Sequence, residues 1–121
     1  MDAATEQHRA GNLTEARRLY AQFLAANPDH DVALFRRGLL DLQEGRADEA
    51  LCSIQKAALA APHNGRYQFG LGQVLQALQR PGEAADAYRR AVAEDPTSHD
   101  ARVALGIALQ GAGHPAEAVV A

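Results

Sequence analysis

The sequence predicts an all-α fold built as a stack of antiparallel helix pairs, and three observations carry that prediction. Landmark residues recur at a spacing of 34: Gly38, Gly72 and Gly106; Pro28, Pro62 and Pro96; Glu15-Ala16, Glu49-Ala50, Glu83-Ala84 and Glu117-Ala118. Within each interval apolar residues fall three and four apart, as on one face of a helix. Between the halves of each interval lies turn chemistry, with Gly11, Gly45 and Gly113 in register and Pro81 and Pro115 close behind. Independent markers keeping one period in this range signal a repeat array rather than a single globular core.

The elements follow in chain order. Asp2 to Ala10 read as a shortened helix. Its partner runs from Leu13 to Ala26, opened by Asn12 and Glu15 at capping-box spacing and closed by Asn27-Pro28. The second pair spans Asp31 to Pro62. Its first helix is the most apolar of the chain, with Val32, Leu34, Phe35, Leu39, Leu40 and Leu42 on almost every side, so it is expected to be largely buried. Arg37 and Asp41 stand four apart on that helix, a spacing that predicts a pair along it. The third pair, Gly65 to Pro96, has Leu71, Val74, Leu75 and Leu78 on its first helix and Ala84, Ala87, Tyr88, Ala91 and Val92 on its second. Pro81 suits a first helical position, where its missing N–H would have no partner. Glu83 then falls near the positive end of the helix, so the recurrent Glu is explained by helix starting. The fourth pair begins at His99, and its second helix is still under way at Ala121. A stack ending there would leave apolar surface uncovered, which predicts either a longer array or packing on another copy.

Composition narrows the functional classes. The net charge of -3, with eleven Arg and one Lys scattered among the repeats, gives no basic stripe for nucleic acid or an anionic membrane. No apolar run reaches the roughly 20 residues of a spanning helix, and the polar N-terminus lacks the apolar core of a secretory signal. A cytoplasmic location is the expectation. Cys52 is the single cysteine, so no intrachain disulfide forms; it lies in an apolar helical stretch and is expected as a small buried hydrophobe. His8, His30, His63, His99 and His114 include no two at the spacing that aims imidazoles at one ion, so no metal is expected. With no nucleophile elbow, P-loop or dinucleotide fingerprint, neither catalytic residues nor a cofactor is expected.

A helix-turn-helix of 34 residues with Leu71-Gly72 and Leu105-Gly106 in first helices, Ala84 with Tyr88 and Ala16 with Tyr20 in second helices, and a closing Pro resembles the tetratricopeptide repeat (TPR). The resemblance covers nearly the whole chain. It implies a superhelical solenoid of about three and a half repeats in a single domain, at about 1–30, 31–64, 65–98 and a partial 99–121. Departures from the pattern are Arg37 before Gly38, Asp41 one turn on, Ile54 at an aromatic position, and Gln79 at the turn glycine.

By the same resemblance, the first helices line a concave face. Val32, Phe35, Arg36, Leu39 and Gln43 would present there from the second repeat, Arg66, Phe69, Gln73 and Gln76 from the third, and Asp100, Val103, Ile107 and Gln110 from the fourth. This is an apolar floor with amide and guanidinium edges, suited to a peptide or helix of a partner protein. Packing between repeats is the competing role for Phe35, Leu39 and Phe69, and plain solvation for Arg36 and Arg66. The positions at which some relatives clamp a carboxylate terminus hold Phe35, Leu39, Gly70, Asp100 and Ala104 instead. The expected function is therefore protein binding by a non-enzymatic scaffold. Two alternatives stay open: the repeat region of a larger enzyme, since HDVALFRRG and the Ala- and Arg-rich units are similar to repeats preceding bacterial glycosyltransferase domains of the protein O-GlcNAc transferase type, and self-association through the unfinished fourth repeat.

Overall fold

In a computed structural model, the described residues are 12–113. They form six helices: α1 Leu13–Ala26, α2 Asp31–Gln43, α3 Ala47–Ala60, α4 Gly65–Ala77, α5 Pro81–Glu94 and α6 His99–Gly111. Among the described residues there is no strand, and the fold is all-α as the period required. The helix expected before Leu13, the Pro115 helix start, His8 and His114 lie outside the described residues. The chain divides after Ala60 into two compact units, the first holding α1 to α3 and the second α4 to α6.

The helix starts and stops are dictated locally. Asn12, His30, Asn64 and Ser98 each accept a hydrogen bond from the amide three residues on, at 3.3, 3.3, 3.2 and 3.3 Å, satisfying one of the orphan donors of a helix N-terminus. Pro81 occupies the first turn of α5, as its fixed φ favours. The capping box forms only in half: the Glu15 carboxylate turns to Arg18 instead of back to Asn12. That hydrogen bond, with the Arg18 charge, holds Glu15 below the usual carboxylate range.

Both inner turns are Schellman closures. Arg46 N–H donates to Asp41 C=O at 2.7 Å and Gly45 N–H to Leu42 C=O at 3.1 Å; Arg80 and Gln79 repeat this on Leu75 and Gln76 at 2.9 and 3.0 Å. The closure needs a left-handed residue, at φ 79° for Gly45 and 61° for Gln79; Gly113, after α6, is also left-handed at 84°. Gln79 thus takes up a conformation that a side chain disfavours.

In the first unit, α2 packs against α3 and also against α1, where Ala16, Tyr20 and Leu40 form a buried cluster flanked by Leu13 and Leu19. Helices α2 and α3 approach closely at Gly38, where a Cβ would lie 2.4 Å from Ile54 Cγ1. In the second unit α4 packs on α5 and α5 on α6, and Gly72 meets Tyr88 in the same way, its imagined Cβ 2.4 Å from Tyr88 Cε1. Ile54 therefore fills the slot an aromatic fills one period later. Burial pushes the Tyr88 hydroxyl pKa up to about 12.

The expected Arg37–Asp41 pair does not form. Asp41 Oδ1 lies 2.7 Å from Arg17 Nη2 on α1, with Glu44 Oε1 3.3 Å from the same nitrogen. Arg37 Nη2 donates instead to Ser53 Oγ on α3 at 2.9 Å. Spacing along one helix brings two side chains within reach, but neighbours on other helices take them first. The Asp41 side chain is 3% exposed, and a buried carboxylate requires a charge partner there. Burial works against the Arg17 charge, yet the two carboxylates more than offset it and raise its pKa. The expectation for Cys52 also fails: the thiol is exposed. The buried stripe of α3 is Ala50, Ser53, Ile54, Ala57 and Ala58, and Cys52 falls beside it.

Candidate functional site

The sequence-derived partner-binding residues sit on three helices. On α2, Val32, Phe35, Arg36, Leu39 and Gln43 repeat at three- and four-residue steps and share one face. Phe35 is buried at 6% exposure, Val32, Arg36 and Leu39 are half-buried, and Gln43 is exposed. The Arg36 Nε is buried without a hydrogen-bond partner, so this guanidinium is only in part hydrated. The start of the face is set by the His30 cap and its end by the Schellman turn at Gly45.

The second unit carries the other two helices. On α4, Arg66 and Gln73 are exposed and Phe69 and Gln76 half-buried. The Phe69 ring leans on Tyr88 of α5, with centroids 5.6 Å apart and planes at 51°, which fixes its direction. Behind this face Gln68 is buried, donating through Nε2 to Pro62 C=O at 3.4 Å and accepting from Arg90 Nε at 3.1 Å. On α6, Asp100 and Gln110 are exposed, and Val103 and Ile107, one turn apart, are 46% and 55% exposed. These two and Leu59 are the large hydrophobic residues open to water among the described residues.

The structure thus sorts the apolar candidates in a way that the repeat register alone did not. Phe35, Phe69 and Val103 occupy equivalent positions 34 residues apart, yet they run from buried through half-buried to exposed. Surface available to a ligand is greatest on α6. Four exposed pairs are neutralised at short range, with Arg18–Glu15, Arg46–Glu49, Arg80–Glu83 and Arg89–Asp86 three apart. Such exposed pairs contribute little to stability. Among the described residues no three His, Cys, Asp or Glu side chains cluster as metal ligands. No described helix is long and apolar enough to cross a membrane.

Comparisons with known proteins agree with this architecture. The tetratricopeptide repeat family matches residues 1–65 and 42–99. No curated protein matches the chain significantly. Among solved structures, a crystal structure of MamA superposes with a TM-score of 0.91 at 24% identity, over 98% of this chain and 70% of that one. MamA from Desulfovibrio magneticus RS-1, residues 41 to the end, gives 0.90 at 22% identity, over 96% of this chain and 66% of that one. The first TPR of Spaghetti (RPAP3), bound to the HSP90 peptide SRMEEVD, gives 0.88 at 20% identity, over 93% of this chain and 89% of that one. At these identities the likeness is one of fold, and the chain spans about two thirds of the MamA chains.

Proposed function

The chain belongs to the tetratricopeptide repeat family, and from that premise we propose that it binds a peptide or helical segment of another protein along the faces of α4 and α6 in its second unit, with the α2 face a separate candidate surface of the first unit. The observation that carries this reading is the pair Val103 and Ile107, two branched side chains held open to water one turn apart and flanked by Asp100 and Gln110. An apolar strip with polar edges at helical spacing suits the side chains of an extended or helical ligand. Arg66 and Gln73 on α4 supply donors for its backbone and acidic groups. The anchors are Val103 and Ile107, with Phe69 adding a smaller exposed area; on the separate α2 face Phe35, at 6% exposure, offers little surface. The peptide held by the RPAP3 repeat structure supports the mode of binding, while the identity of the ligand rests on this chain's own residues. Affinity rests on those few anchors, not on total contact area.

The test compares three immobilised proteins in a lysate of the source cell: wild type, Val103→Ser with Ile107→Ser, and Leu59→Ser. Leu59 is 80% exposed on α3, a helix that carries none of the proposed faces, and controls for unspecific stickiness. A ligand of the groove is retained by wild type and by Leu59→Ser and lost from the double variant. Equal retention on all three refutes the proposal.

A further inference from the structure

Three of the helix starts are built to one plan, with His30, Asn64 and Ser98 following at the 34-residue period. Each side chain accepts from the third amide of its helix: His30 Nδ1 from Ala33, Asn64 Oδ1 from Tyr67, and Ser98 Oγ from Ala101. The amide and the hydroxyl keep their lone pairs at every physiological pH. An imidazole does not. Protonated, it carries two donors and no acceptor, and it places a positive charge at the positive end of the helix.

The surroundings decide what happens as acid is added. His30 N–H donates to Asn27 C=O at 3.2 Å, and the ring stands edge-on to Phe23 of α1, with centroids 4.9 Å apart and planes at 90°. The last turn of α1 carries no charge, and in the C-terminal half of α3 the single charge is the exposed Lys56. In the sequence His30 stands between Asp29 and Asp31. A protonated ring has no lone pair for Ala33 N–H.

We propose that His30 is a pH-released cap: it closes the start of α2 when neutral and lets the first turn of that helix open when it takes up a proton. The cap is in place while the ring is neutral and is lost when the ring is protonated. The caps of α4 and α6 stay shut through that change, so the device acts on one helix. The inference concerns helix order and holds whatever the α2 face binds.

The test is amide exchange and ¹H–¹⁵N spectroscopy on the full chain from pH 7.5 to 5.5, with exchange corrected for its intrinsic pH dependence. The Ala33 amide is expected to shift together with the His30 ring resonance. Its protection should fall about five-fold relative to Tyr67 and Ala101, the size of one lost cap. In His30→Asn, which restores the acceptor used at Asn64, the Ala33 amide holds its shift and its protection. The proposal is overturned if Ala33, Tyr67 and Ala101 change alike, if Ala33 stays still while the His30 ring titrates, or if its response survives in His30→Asn.

Discussion

Replacing the two ends of the Arg17–Asp41 pair one at a time, then together, measures what a buried charge does at the junction of α1 and α2. The two ends are unequal. Asp41 is 3% exposed at its side chain while Arg17 is 27% exposed and retains Glu44 3.3 Å away. Arg17→Leu therefore strands a carboxylate in the interior, for which the cost of an unpaired buried charge is about 3 kcal/mol or more. Asp41→Leu leaves a guanidinium that still has water and one carboxylate, and about 1 kcal/mol is expected. The double substitution to Leu removes both desolvated charges and should return to within about 1 kcal/mol of the parent. Urea unfolding followed by circular dichroism gives the three free energies. In thermal melts Arg17→Leu should fall by on the order of 10 °C or more. The double-mutant cycle then shows a coupling well above the roughly 0.5 kcal/mol scatter of independent sites. Equal losses from the two single variants, or a double loss equal to their sum, would refute the reasoning.

Two further substitutions test the turn and the helix crossing. Gln79→Gly should stabilise the chain by roughly 0.5–1 kcal/mol, since the left-handed strain at φ 61° exceeds the extra freedom that glycine gives the unfolded state; a lower denaturation midpoint would count against this. Gly72→Ala drives a Cβ to 2.4 Å from the rigid Tyr88 ring, with an expected loss of about 1–3 kcal/mol. Gly38→Ala meets the more adaptable Ile54 side chain and should lose less, a ranking that the same unfolding curves check.

Much of this fold could be read from spacing alone because its determinants are local. The start of α5 at Pro81 and the cap of α1 by Asn12 depend on residues within one turn. The glycine crossing positions follow from the period itself. What escaped was decided between helices. Arg37 and Asp41 satisfy the four-residue rule, and nothing in a helix's own sequence announces that Arg17, twenty-four residues before Asp41, will claim it. Cys52 lies one position off a stripe of small residues, and Ala-rich helices define their buried face too loosely for that difference to be seen. The candidate face was assigned by register to Phe35, Phe69 and Val103 as equals, while their exposures depend on how far each helix is covered by its neighbours.

The ion pair of α1 and α2 also bears on how such a chain can grow. One period on, the positions of Arg17 and Asp41 are held by Leu51 and Leu75, and the next by Ala85 and Leu109. A tandem duplication of residues 31–64 would add a second aspartate without adding a second arginine equivalent to Arg17. Excising the same segment would remove Asp41 and Glu44 together and leave Arg17 without either carboxylate. Copying errors that change the number of these segments are therefore self-penalising, because they leave one charge of the pair without the other.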